Sequence, residues 1–325
     1  MKWVLRIFFV LAALLVVLFL AFRTPDTDAE QMLAKYGEAP SQFLTIGEGT
    51  TVHVRDEGPR DGLPIILLHG SNADLHTWGP WVEGLTDTYR VIRFDQVGHG
   101  LTGPDPNDDY SLTSFVNDID EVADALELDR FVLGGNSMGG SHTIGYALER
   151  PERLLGMVLV DAGGAPIKQD DDGGNIGFTL GQMPVINKVV EQVTPRSIIE
   201  RSLRQSVSNQ DVVTDAVVDR YWELLRFPGN RAATLKRFAR GWTGFNAEQV
   251  SSIDVPALII WGEEDALIDV EAARWYDEKL PRSEMKVYAG IGHLPQEEAS
   301  AESVTDLLKW LNNLDLVDQV SEPEE

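Results

Sequence analysis

The chain has no cysteine among its 325 residues. That removes disulfides, thiolate nucleophiles and cysteine-bound metals, and it leaves the compartment open. Positive charge is scarce as well. Against 52 Asp and Glu stand only 27 Lys and Arg, a formal net charge of −25. A nucleic-acid binder needs a basic face for phosphates, so no nucleic acid is expected as a partner. The histidines are few, at 53, 69, 76, 99, 142 and 293, and no spacing among them suggests a metal site. No internal repeat is visible, and long apolar runs are absent except for one at the N-terminus.

That run, Ile7 to Phe22, is uncharged, with Lys2 and Arg6 before it and Arg23 after it. As a helix it spans about 24 Å, and Trp3, Val4 and Leu5 lengthen it toward a ~30 Å hydrocarbon core if Arg6 snorkels. Its end, Leu20-Ala21-Phe22-Arg23, lacks the small-residue pattern of a signal-peptidase site. Residues 1–23 therefore read as a retained transmembrane signal-anchor. A cleaved signal, giving a secreted or periplasmic protein, is the alternative. With most positive charge ahead of the run, the N-terminus is expected in the cytoplasm and the folded domain outside the cell membrane.

The hydrophobic fraction, 43%, is that of a folded protein, and the length allows one α/β domain with an insertion. Residues 24–40, polar and with two prolines, read as a linker. From 41 to 163 short apolar runs alternate with helical spacings. Phe43–Ile46 and Thr51–Val54 form a hairpin pattern, and Ile65–Leu68, Val91–Phe94, Phe131–Leu133 and Met157–Val160 suit buried strands. Leu112, Phe115, Val116, Ile119, Val122, Ala123 and Leu126 recur as one face of a helix. The alternation implies a mainly parallel sheet flanked by helices.

Between 164 and 246 the alternation stops. Gln169 to Gly174 reads as a loop, Val217 to Leu225 and Ala232 to Arg240 as helices, and the whole as a lid over the carboxyl ends of the strands. Ile186 to Phe245 holds ten Lys or Arg against six Asp or Glu. Solvated helix faces account for this; the sharper reading turns one arginine toward an anionic substrate or headgroup. The sheet resumes over 247–314 with Ala257–Trp261 and Met285–Tyr288, and 315–325 forms a loose acidic tail.

Gly135-Asn136-Ser137-Met138-Gly139 falls between a strand and a helix. A serine flanked by glycines on such a turn is lifted above the sheet, with a helix N-terminus beneath it. A serine hydroxyl needs a base, and that base needs a carboxylate to fix its tautomer. With this elbow the partners follow in the order Ser, acid, His. Only His293 lies beyond the helix after the elbow; His142 belongs on that helix, and the other four histidines read as structural. Asp265, after a strand, is the expected acid, with Asp161 one strand earlier as its rival and Glu263, Glu264 and Asp269 nearby. The oxyanion hole is assigned to the backbone N–H groups of Met138 and Ser71, with Asn72 the alternative to Ser71.

His69-Gly70-Ser71, Asp95-Gln96-Val97-Gly98-His99-Gly100, the GNSMGG elbow, Gly262-Glu263-Glu264-Asp265 and Gly292-His293 together resemble the α/β-hydrolase fold superfamily, from about Phe43 to Leu311. The resemblance implies an α/β-hydrolase fold with a helical lid and a Ser137, Asp265, His293 triad. The serine separates the chain from epoxide hydrolases and haloalkane dehalogenases, whose nucleophile is Asp. GNSMGG followed by Leu148 to Arg153 is similar to the meta-cleavage-product hydrolases, although Ser71-Asn72-Ala73-Asp74 lacks their extra glycines. The expectation is a membrane-anchored serine hydrolase acting on a small-molecule ester or similar acyl substrate, with no metal and no organic cofactor. A carbon–carbon hydrolase or cofactor-free haloperoxidase on the same residues is one alternative; a non-catalytic binding member of the fold is another.

Overall fold

The computed structural model describes residues 2–47, 49–167, 191–241 and 244–321. A single eight-stranded sheet runs in the order β1-β2-β4-β3-β5-β6-β7-β8. Its strands are β1 (Ser41–Ile46), β2 (Thr50–Glu57), β3 (Pro64–Leu68), β4 (Arg90–Phe94), β5 (Phe131–Asn136), β6 (Leu154–Val160), β7 (Ala257–Gly262) and β8 (Ser283–Tyr288). The first hairpin and the β2–β4 pair are antiparallel; every other neighbour is parallel. All eight strands coincide with the apolar runs expected to form them.

The helices are α1 (Lys2–Phe22), α2 (Ala29–Tyr36), α3 (Gly79–Leu85), α4 (Leu112–Ala125), α5 (Met138–Glu149), α6 (Arg196–Ser206), α7 (Asp215–Leu225), α8 (Asn230–Arg240), α9 (Ala247–Ser251), α10 (Glu271–Lys279), α11 (Pro295–Glu298) and α12 (Ser300–Ser321). Because successive side chains of a strand point to opposite faces, each central strand feeds two cores. Ile66 and Leu68 of β3 join Val116 and Ile119 of α4 and Ile144 of α5 on one face. Ile65 and Leu67 join Trp81 and Leu85 of α3 and Leu307 and Leu311 of α12 on the other. Strands buried on both sides lose the polar alternation of a half-exposed sheet, so they read as continuous apolar runs.

Helices α6, α7 and α8 form the lid. Its own small core, Leu203, Val207, Val218 and Tyr221, rests on Ala73 of the loop after β3 and on Leu294, next to His293. The lid thus sits over the carboxyl ends of β3 and β8. The loop expected at Gln169–Gly174 lies outside the described residues.

Two expectations change. The stretch 24–40 is not a bare linker. Asp28 caps α2 by accepting from Gln31 N, and Met32 is buried against Leu101 and Leu224 of the lid. Around it Thr24 N donates to Gln192 O at 2.9 Å, Thr27 N donates to Arg226 O at 2.9 Å, and Arg231 Nη2 pairs with Asp26 at 2.6 Å. Its polar composition serves hydrogen bonds to the lid. Likewise the stretch from 315, expected loose, continues α12 to Ser321, since no Gly or Pro interrupts it. Helix α1 carries most of the large apolar side chains exposed on the surface, and over Trp3–Phe22 it is long and apolar enough to cross a membrane.

Candidate active site

β5 ends at Asn136 and α5 begins at Met138, so the chain reverses at Ser137, whose φ is +55° and ψ −114°. A non-glycine residue rarely adopts this left-handed φ, and the neighbours must enforce it. Ser137 N donates to Val160 O at 3.0 Å, and Ser137 O accepts from Gly163 N at 2.9 Å. The turn also demands glycine before it: a Cβ on Gly135 would lie 2.2 Å from the Gly139 carbonyl. Held in this way, the Ser137 hydroxyl makes no hydrogen bond among the described residues, and the N-terminal end of α5 lies directly below it.

Beside the elbow runs the loop after β3. A Cβ on Gly70 would come within 3.2 Å of Ser137 Cβ, so the loop passes against the serine. The loop's Asn72 has φ +60°. Met138 opens α5, which frees its N–H from any intrahelical acceptor. The two amides assigned to the oxyanion hole, of Ser71 and Met138, therefore lie on segments that flank the serine.

His293 arrives from the loop after β8. Its Nδ1 shares a hydrogen bond with Asp265 Oδ2 at 2.7 Å, and both side chains are buried. Asp265 Oδ1 accepts from Leu267 N at 2.7 Å and Ile268 N at 3.1 Å, which fixes the carboxylate. Asn136 Nδ2, on the residue before the serine, donates to His293 O at 3.1 Å. That bond ties the histidine loop to the elbow.

Asp161 belongs to the same cluster. One atom each from Asp161, Asp265 and His293 lie within 4.8 Å of one another. Asp161 Oδ1 accepts from Gly262 N at 3.0 Å, while Oδ2 is buried without a conventional donor. Burial first, and the neighbouring Asp265 carboxylate second, hold the Asp161 carboxyl well above its ordinary range. Both effects favour the protonated form of Asp161 beside the Asp265 carboxylate.

A family model for the alpha/beta hydrolase fold matches residues 64–300. The chain belongs to that family. Among its relatives, 2-hydroxy-6-oxo-2,4-heptadienoate hydrolase of Pseudomonas putida (strain F1) is 27% identical over 264 residues, covering 78% of this chain and 90% of that protein. A meta-cleavage product hydrolase of Pseudomonas fluorescens IP01 superposes with TM-score 0.71 at 26% identity, over 82% of this chain and 98% of that one. A bacterial membrane phospholipase A superposes with TM-score 0.72 over 97% of this chain and 99% of that one. At 21% identity, that last likeness shows the fold alone.

Within this α/β hydrolase the other histidines each have a structural partner. His69 Nε2 accepts from Gln96 N at 3.0 Å, and His142 stacks on Phe115 with its Nδ1 2.6 Å from Gln96 Oε1. Burial pushes both below the ordinary histidine range, His142 to about 3, so both rings are neutral. His76 bonds Asp74 at 2.6 Å. His53 bonds Asp95 at 2.7 Å through Nδ1 and Ser41 Oγ at 2.7 Å through Nε2.

Two further groups at the site belong to no motif. Glu298 of α11 accepts from Gly292 N and Leu294 N on either side of His293, and from Ser208 N and Asn209 N of the lid. His293 N itself donates to Ser206 O at 2.8 Å. One carboxylate thus binds the histidine loop to the lid. The second group is Arg237 of α8, whose Nη2 donates to Ser71 Oγ at 2.9 Å and Asn72 Oδ1 at 3.1 Å. The excess of basic residues in the lid was the only sequence signal of it.

Proposed function

We propose that this α/β hydrolase is a serine hydrolase that cleaves an ester or similar acyl bond at Ser137 and is held at a membrane by α1. The observation that carries the reading is the 2.7 Å Asp265–His293 bond on a loop tied to the elbow that strains Ser137. In the reaction Ser137 Oγ attacks the acyl carbon while His293 Nε2 takes its proton. The N–H groups of Met138 and Ser71 receive the oxyanion, and the Asp265 carboxylate stabilises the imidazolium. Collapse breaks the bond to the leaving oxygen, which takes the proton from His293. Water, deprotonated by the same histidine, then releases the acid and restores Ser137.

The test is hydrolysis of short p-nitrophenyl esters by the full chain in neutral detergent. Ser137→Ala should abolish it, and a fluorophosphonate should label Ser137 alone; full activity in the alanine variant ends the proposal. For the anchor, the supports are the length and apolarity of α1 and the likeness to a membrane phospholipase A over 97% of this chain. The proposed topology leaves the catalytic domain outside the cytoplasm, so external protease should digest it in spheroplasts. A cleaved signal would instead leave a shortened, soluble chain.

The relatives that cut dienoate products favour a second reading, carbon–carbon hydrolysis with the same three side chains. Turnover of a dienoate acid faster than any simple ester would establish it.

A further inference from the structure

Of the four buried arginines among the described residues, two pair with acids: Arg231 lies 2.6 Å from Asp26 and Arg93 2.8 Å from Glu57. Arg226 sits 3.9 Å over the Trp222 ring and donates to Pro25 O. Arg237 is buried as deeply, at 6% exposure, yet among the described residues no carboxylate pairs with it. The neighbouring lid cations Lys236 and Arg240 reach Asp108 and Asp109, so the acids nearby are already taken.

Arg237 has only neutral partners. Nη1 turns to His99 Nε2, and Nη2 donates to Ser71 Oγ and Asn72 Oδ1. Burial and the adjacent guanidinium hold His99 well below its ordinary range, so that ring is an uncharged acceptor. Of the five N–H groups of a guanidinium, these bonds use three and leave Nε–H and one other unspent. Nε is indeed buried without an acceptor. Burial pushes the group down to about 9, so the cation persists at neutral pH without a counter-charge. An uncompensated buried charge is costly, and a neutral amide would serve Ser71 and Asn72 as well.

The place of this charge suggests its use. Arg237 lines a small cavity together with Phe115, Met138 and Ser141, against the start of α5. The cavity thus reaches Met138, the residue after the serine, while Arg237 itself bonds the Ser71 side chain on the other oxyanion segment. We propose that Arg237 receives a negatively charged group of the substrate, a carboxylate or phosphate oxygen carried close to the scissile acyl carbon. This deepens the ester-hydrolase reading and rests on it. A guanidinium with two spare donors suits such an oxyanion, and a site built for it rejects the uncharged analogue.

The experiment compares matched esters on the full chain in neutral detergent. One pair is p-nitrophenyl hemiglutarate and p-nitrophenyl valerate, with the charge on the acyl side. The other is lysophosphatidic acid and monoacylglycerol, with the charge on the alcohol side. In at least one pair the wild type should prefer the anionic member by about 10-fold or more in kcat/KM. Arg237→Gln should bring that ratio to near one, a loss of preference approaching 100-fold where the pair is fully desolvated; Arg237→Lys should keep part of it. The pair that responds identifies which side bears the charge. A wild-type ratio of one or less in both pairs overturns the proposal, and so does an Arg237→Gln variant that slows both members equally. Because the wild-type ratio needs no variant, a poorly folding Arg237→Gln does not shield the idea. If Ser137 resists fluorophosphonate and no ester is cut, the hydrolase reading itself falls; if neutral and anionic esters are cut alike, only this inference does.

Discussion

Asp265 and His293 meet at 2.7 Å at the carboxyl end of the sheet, and Asp95 and His53 meet at the same 2.7 Å near its antiparallel edge. In the second group the far nitrogen of the imidazole is also 2.7 Å from a serine, Ser41. By hydrogen-bond lengths alone the edge group is the more complete Asp–His–Ser relay. What differs is the serine. Ser41 Oγ is shared among His53, Arg55 Nε at 2.9 Å and Tyr36 O at 3.4 Å, on an ordinary strand. Ser137 sits at φ +55° above a helix N-terminus, its hydroxyl unspent. Asp95 is likewise saturated, since it also accepts from Leu75 N and Leu101 N at 2.8 Å each. A relay whose members all have partners is a structural knot. Reactivity needs a strained, open hydroxyl and donors waiting for charge that does not yet exist.

The sharpest way to break this comparison is to remove each serine. Ser137→Ala should lower kcat/KM on a p-nitrophenyl ester by about 10⁴-fold or more, and Ser41→Ala should change it less than about threefold. The reverse result would make the edge group the catalyst. The two carboxyl groups at the sheet end come next. Asp265→Asn should cost about 10⁴-fold in kcat through loss of the histidine's tautomer. Asp161→Asn, at a carboxyl that does not bond the imidazole, should stay within about 10-fold. If Asp161→Asn proved the costlier, the working acid would lie one strand earlier.

The smallest effect concerns stability. Burial raises the proton affinity of Asp95, but His53 and its hydrogen bond outweigh that and hold the carboxyl below its ordinary range. A depressed folded value gives stabilisation that is complete above the unfolded value of 3.8 and is lost as pH falls below it. The urea midpoint of the wild type should therefore drop between about pH 5 and about pH 3. Asp95→Asn should lower stability by about 1–3 kcal/mol at neutral pH and flatten the acid limb, with fluorophosphonate labelling of Ser137 unchanged. An unchanged acid limb would show that Asp95 carries none of that stability.

The strands and the elbow were legible because their signals are local. β3 and β7 are apolar at nearly every position, and glycines bracket Ser137. His293 stood out by elimination, and its bond to Asp265 is the feature the structure adds. The choice between Asp265 and Asp161 was harder, since both follow strand ends and only packing shows which carboxylate reaches the imidazole. Glu298 and Arg237 were illegible for another reason. Their partners lie far along the chain, at Ser208 and Ser71, and no spacing rule reports a contact created by topology. Helix α2 was missed because its one buried residue, Met32, gives no period.

The docking of residues 24–36 fixes more than local structure. Phe22 ends the apolar helix, and from Thr24 onward the backbone is already fastened to the lid through Gln192, Arg226 and Arg231. No slack leash separates the two. On the proposed anchoring of α1, these bonds would hold the lid at a set height above the membrane surface and favour substrates at or beside the bilayer.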